Sequence, residues 1–262
     1  VGTLRQPCRF DPVTGTFEEC DVNVFGNKFN TAELGIGWAF DTRNRTLFAD
    51  RGRRHSLSLS YTVPGSEIEY FVASYEYLRY IPLVRRLTLA LNAQVDYGMD
   101  VGKTTALPPF RHFFAGGPDS VRGYRESRLG PKDQNGFPFG GNLKVVGRAE
   151  VIFPVPEKWR TQARVSWFYD LGNVFSTGNR YRFFGKDRTF NEDGSVAFEG
   201  TPIDYGFRYD KLKHSTGLAV QWLAPLGIFR FSYAIPLNAY KGDNVLYEDE
   251  EERFQFSVGQ AF

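Results

Sequence analysis

Residues 87–98 read LTLALNAQVDYG, and the odd positions are Leu87, Leu89, Leu91, Ala93, Val95 and Tyr97. The even positions are Thr88, Ala90, Asn92, Gln94 and Asp96. Strict alternation of this kind is the signature of a strand whose successive side chains point to opposite faces. Residues 55–63 repeat it, with His55, Leu57, Leu59, Tyr61 and Val63 set against three serines and Thr62. Residues 30–41 place Ala32, Leu34, Ile36, Trp38 and Phe40 on one face. Segments near 68–81, 142–155, 161–175, 213–223, 228–235 and 253–262 follow the rule less cleanly. Between them stand turn sequences such as Pro64-Gly65-Ser66, Pro156-Glu157-Lys158 and Ala224-Pro225-Leu226-Gly227. No stretch carries a convincing helical period, and the spacing suggests no solenoid repeat. The chain therefore reads as all-β, with about nine antiparallel strands.

Two architectures alternate in this way. A soluble sandwich turns the apolar faces inward, whereas a membrane barrel turns them to lipid around a wet lumen. No run approaches the ~18 apolar residues of a membrane helix, but a barrel strand needs only ~9–11 residues of alternating polarity. Lys144, Arg148, Glu150, Arg164 and Asp170 lie on polar strand faces, which suits a lumen. The connections also tend to alternate, short after residues 155 and 223 and long after 175 and 235. On the barrel reading, Leu57, Leu59, Leu87, Leu89, Leu91, Val95, Val165 and Trp167 meet lipid, with Leu89 at a midplane position. Nine is an odd count, and bacterial single-chain barrels have even numbers of strands. Residues 29–262 are thus expected to be the C-terminal portion of a larger transmembrane antiparallel β-barrel. Residues 1–28 are expected to be an extracellular loop segment.

The remaining chemistry is sparse. A net charge of +2 gives no case for nucleic acid as a partner. Val1 opens no signal-peptide pattern, so the chain reads as mature or cut from something longer. Cys8 and Cys20 lie in a turn-rich stretch and read as a local disulfide in an oxidising compartment, with two free thiols as the plainer alternative. No further histidine or cysteine joins them to make a metal site. His55, His112 and His214 lie by no recognisable Ser/Asp constellation, so an enzyme is not expected. The acidic run at 248–252 reads most simply as a solvated loop.

One loop stands out. Residues 113–132, FFAGGPDSVRGYRESRLGPK, lie within a long connection spanning roughly 99–141. Its tip, Val121-Arg122-Gly123-Tyr124, is an odd sequence to leave in water. Glu150 and Asp170 share the lumen parity of two strands joined by a short turn. With that turn centred near Arg160 they face each other, and like charges across strands repel unless a cation intervenes. A guanidinium can bind one carboxylate bidentately and share a second. Arg122 is the candidate; the alternatives are that Arg148 and Arg164 neutralise the acids, or that Arg122 stays on the surface. In the last segment Phe254, Phe256, Val258 and Phe262 share one face, with Gln260 the exception. Gly259 weakens the local pairing, and Phe262 suits an interfacial anchor.

These stretches carry a resemblance. Leu47-Phe48 with Asp50-Arg51-Gly52, Phe113-Phe114-Ala115-Gly116-Gly117 and Ser120-Val121-Arg122-Gly123-Tyr124 resemble, in order, the C-terminal barrel region of the BamA family of outer-membrane protein assembly factors. So do Leu129-Gly130-Pro131-Lys132, Gln221-Trp222, Phe231-Ser232-Tyr233-Ala234 and the terminal Phe254 to Phe262. The VRGY element alone also occurs in TamA and in two-partner secretion transporters. The resemblance implies an integral protein of the bacterial outer membrane that inserts and folds other β-barrels, without cofactor. Its partners would be unfolded barrel clients, accessory assembly lipoproteins, and outer-membrane lipid and lipopolysaccharide. It also implies that the VRGY loop folds back inside the barrel and that the last strand borders a weak seam that templates client strands. The family's periplasmic domains and first strands have no counterpart in this chain. A porin-like or secretion-type transport barrel is the rival reading.

Overall fold

The computed structural model describes residues 29–133, 135–178, 181–191 and 196–259. Cys8, Cys20 and Phe262 lie outside them, and so do the expected disulfide, the expected loop segment 1–28 and the terminal aromatic. Nine long strands form one antiparallel sheet: β1 (Glu33–Asp41), β2 (Gly52–Thr62), β3 (Tyr70–Pro82), β4 (Thr88–Asp100), β5 (Leu143–Phe153), β6 (Ala163–Phe175), β7 (Lys213–Ala224), β8 (Gly227–Pro236) and β9 (Phe254–Gly259). Their order in the sheet is their order in the chain. Each strand pairs with its predecessor and its successor, and among the described residues β1 and β9 do not pair with each other. The sheet is therefore open, the arrangement expected of part of a barrel.

The two faces have opposite chemistry. On β4, Val95, Tyr97 and Met99 are exposed while Ala90, Asn92 and Asp96 are buried. On β6, Trp167 is exposed while Arg164, Ser166 and Asp170 are buried. The same outward parity carries Ile36, Trp38, Leu218, Val220, Trp222, Tyr233 and Phe254, all exposed. Apolar residues thus face outward and polar ones inward, which is the reverse of a sandwich and the condition for a lipid-facing barrel. The inner face keeps its charges matched, as in the Lys144–Asp96 pair at 3.7 Å.

The long connections 101–142, 176–212 and 237–253 all leave from one end of the sheet, and 83–87, 154–162 and 225–226 turn at the other. By the barrel rule these are the extracellular and periplasmic ends. Connection 101–142 lies against the inner face, burying Leu107, Ala115, Val121, Tyr124, Leu129 and Phe139.

Two sequence expectations need correction. Leu87 is not a strand residue: its N–H closes a turn onto the Val84 carbonyl (3.3 Å), and β4 begins at Thr88. Leu89 is the second residue of β4, so it lies near the periplasmic interface; the middle of the strand is at Gln94 and Val95. The terminal strand is described over Phe254–Gly259, and residues 260–262 of the expected 253–262 lie outside the described residues.

Candidate functional site: a loop tip in the lumen and the terminal strand

The tip at 120–124 is held by its own backbone before any charge is considered. The Ser120 hydroxyl accepts from the Gly116 N–H (2.8 Å) and donates to the Gly116 carbonyl (2.9 Å). The Gly117 N–H donates to the Tyr124 carbonyl (2.9 Å). Val121 and Tyr124 are wholly buried, in a cluster with Ala115, Leu129, Val146 of β5 and Val174 of β6. Gly123 has φ +88°, and a Cβ there would lie 3.0 Å from the Ala234 Cβ and 3.3 Å from the Pro236 Cγ of β8. Backbone conformation and close approach to the barrel wall each demand glycine at this point.

Between these apolar anchors Arg122 projects to the wall. Its Nε and Nη2 each donate to Asp170 at 2.7 Å, a bidentate pair, and its backbone N–H reaches the same carboxylate at 3.1 Å. Its Nη1 lies 2.7 Å from Glu150 Oε1, and the guanidinium carbon sits 3.5 Å from the Phe168 ring centroid. One planar cation thus joins two strands and covers an aromatic face. Burial opposes the charge on Arg122, but the hydrogen bonds and charges of Asp170 and Glu150 outweigh it and raise the pKa.

The two acids are not opposite each other. Asp170 pairs in register with Arg148, and Glu150 with Phe168, so the turn is centred one residue earlier than Arg160. Shifting the centre by one residue moves the register by two, which preserves parity and leaves both carboxylates in the lumen. Arg148 bonds to Asn92 Oδ1 (3.2 and 3.1 Å). Arg164 donates to the Ala49 carbonyl (2.6 Å) and covers the rings of Phe48 and Tyr80. Phe168 escaped the sequence reading, although it is an aromatic on the polar parity of β6.

The tip also reaches the last strand. Tyr124 and Gly123 form a short antiparallel ladder with Glu251 and Glu252, and the Arg125 N–H donates to the Glu250 carbonyl (2.8 Å). The acidic run is therefore no solvated loop. Asp249 pairs with Lys213 (2.5 Å), Glu250 with Arg125 and Arg128 (2.9 and 3.3 Å), and Glu251 with Lys241 and Arg253. Lys132 donates to the Glu248 carbonyl (2.5 Å). Burial lowers the Lys132 ammonium below its ordinary value, with Glu250 and Asp249 pulling it back up. Burial, and then the charges of Asp249 and Glu251, push the Tyr124 phenol up.

From Phe254 the chain becomes β9. Its register on β8 runs from Tyr233↔Phe254 to Ile228↔Gly259. Phe254, Phe256 and Val258 are exposed on the outer face, and the Phe256 ring packs 5.0 Å from that of Phe231. Gln255 points inward and is buried. Among the described residues no strand covers the second edge of β9.

A sequence profile of the Omp85 superfamily domain matches residues 19–262. The outer membrane protein assembly factor BamA of Neisseria meningitidis serogroup B is 34% identical over 232 residues, which is 87% of this chain and 28% of that protein. BamA of Nitratidesulfovibrio vulgaris is 31% identical over 159 residues, or 60% of this chain and 16% of that protein. The crystal structure of BamA from Haemophilus ducreyi lacking POTRA domains 1–3 superposes with a TM-score of 0.71 at 29% identity, covering 88% of this chain and 42% of that one. The chain thus spans less than half of each of these relatives. The outward apolar face, the polar lumen and the open sheet edge agree with these likenesses: this is a portion of an integral outer-membrane β-barrel, and the chain belongs to the Omp85 superfamily.

Proposed function

We propose that this segment forms the C-terminal side of a barrel that inserts and folds other β-barrel proteins in the outer membrane. On this reading β9 is one lip of a seam on which incoming strands are templated. What supports the reading is the likeness to BamA over 87% of this chain, with β9 as the last strand of the sheet, whose outer edge must meet the barrel's first strand. In a strand, alternate residues direct their N–H and C=O to alternate sides, so about six groups of this six-residue strand face that edge. Each costs roughly 2–7 kcal/mol when left unpaired in an apolar medium. An edge in that state takes a strand from any source that offers one, either the barrel's own first strand or a client's. No covalent bond changes, and no nucleophile is required.

The lumen side supports the same reading. Arg122 ties the tip of a long loop to β5 and β6, the latter three strands in from β9, so the lumen wall is braced from within. The partners follow from this role: unfolded barrel clients, and the accessory assembly lipoproteins of the family. The test is reconstitution of the full-length protein in lipid vesicles with a urea-denatured outer-membrane barrel as client. Folding of the client should be faster than in empty vesicles. Steady ion conductance without any gain in client folding would instead support a transport barrel and overturn the proposal.

A further inference from the structure

Among the described residues, Gln255 is the one inward side chain of β9 that hydrogen-bonds to the lumen loop. It is 3% exposed. Its Nε2 donates to the Tyr124 carbonyl at 2.8 Å and to Glu252 Oε2 at 3.3 Å, and its Oε1 accepts from the Gly123 N–H at 3.2 Å. The amide thus takes both a donor and an acceptor from adjacent residues of the tip, as a further rung of the ladder between 123–124 and 251–252 would. Just before it, the chain changes partners. Glu251 and Glu252 pair with the tip, while the Arg253 carbonyl accepts from the Ala234 N–H (2.8 Å) and starts the pairing with β8. The same few residues are therefore held from two sides. The tip they hold is itself fastened to β5 and β6 through Arg122. Beyond Gln255 the lumen-facing positions offer no such contact. Ser257 has a buried hydroxyl without a partner, and Gly259 has no side chain.

We infer that Gln255 is a positioning residue that couples the lumen tip to the terminal strand, so that the Arg122 ion pairs set how readily that strand frays. Among the described residues, the extracellular half of β9 is held by β8 and by the tip, and the periplasmic half by β8 alone. Fraying accordingly starts at the Gly259 end, and it reaches Phe254 only when the tip lets go. The inference rests on the reading of β9 as a working edge, to which it adds a control element inside the lumen. Coupling of this kind is reciprocal: pulling the strand away must also loosen the tip.

The test is amide hydrogen exchange on the full-length protein in lipid nanodiscs, with no client present. Gln255→Leu should speed exchange across 254–256 about tenfold, the ratio expected for the loss of one or two buried hydrogen bonds. Ser257→Ala, on the same face of the same strand, should stay within about twofold. Arg122→Ala decides the question, because Arg122 forms no hydrogen bond or ion pair with the described residues of β9: it should speed exchange at 121–124 and also at 254–256. Fast exchange at 121–124 with an unchanged 254–256 would overturn the coupling, as would no change at either. Arg122→Ala alone decides the matter if the Gln255 variant does not fold. Because no client is involved, the result stands apart from the assembly assay. A barrel that couples tip and strand yet folds no client would refute the proposed function and leave this inference intact.

Discussion

Removing the Arg122 side chain should release the loop tip, and the structure indicates by how much. The Asp170 side chain is wholly buried and that of Glu150 is 17% exposed. Arg122→Ala leaves both carboxylates in place without their cation. Breaking a buried pair from one side costs about 3–5 kcal/mol, because the surviving charge stays desolvated. The lost contact with Phe168 accounts for about 2 kcal/mol at a desolvated site, and overlaps with the first figure rather than adding to it. Taken as 3–5 kcal/mol, the closed form loses roughly 100- to 3000-fold in population relative to an open tip, at 1.4 kcal/mol per tenfold. Arg122→Lys should recover only part of this, since an ammonium cannot hold one carboxylate bidentately and still reach the second. Adding Asp170→Asn to Arg122→Ala should be far from additive, with a coupling of about 2 kcal/mol. Exchange protection of the amides at 121–124 in lipid nanodiscs reads all three. Protection in Arg122→Ala within about threefold of the parent, or additive behaviour of the double variant, would refute the argument that these charges hold the tip.

Three further outcomes follow from the geometry. Val95→Arg, at the middle of β4 on the lipid face, should cost about 2–4 kcal/mol of folding stability in bilayers, and Leu89→Arg near the interface markedly less. Equal costs would show that the strand sits at a different depth. Gly123→Ala should destabilise the tip by about 1–3 kcal/mol for its positive φ, before any clash with Ala234 is counted, as seen by thermal unfolding or exchange. A neutral effect would mean that the tip repacks. His112 is buried with one ring nitrogen 3.0 Å from the Phe139 carbonyl and the other 3.0 Å from the Leu107 carbonyl, so the neutral ring donates to one of them; burial lowers its pKa below the ordinary 6.5, against the pull of the two carbonyls. The unfolded loop therefore takes up the proton more readily. The packing of residues 107–113 should be complete above pH 6.5 and weaken as the pH falls below it. Exchange at these residues, corrected for intrinsic rates, should speed up toward acid in the parent and not in His112→Gln.

Much of the fold was legible because one rule, alternation, governs both the strand and the barrel wall. Parity alone assigned Trp167 outward and Asp170 inward, and it survived a wrong turn centre because register errors in a hairpin come in steps of two. What parity could not supply was depth. Leu89 looked central because its segment was read from residue 87, whereas a turn takes Leu87 and β4 runs on to Asp100. Nor could it supply partners across the lumen. Gln255 shares the inward face with Ser257, yet only Gln255 meets the tip. The acidic run looked solvated because its cations, Lys213, Arg125 and Arg128, come from other elements. Phe168 broke the polar pattern of β6, and the reason is the guanidinium lying on it.

The claim at the centre of this account is that the outer edge of β9 exchanges partners. In the full-length protein, Val258→Cys combined with a cysteine at the facing position of the barrel's first strand gives a pair that an oxidant can lock. With that oxidant, the same cysteine should form a disulfide to the first strand in the resting protein, and to a cysteine in the client's edge strand when the oxidant is added during assembly. Once the seam is locked, client folding in vesicles should stop and should return on reduction. Client folding at the full rate with the seam locked would contradict the account.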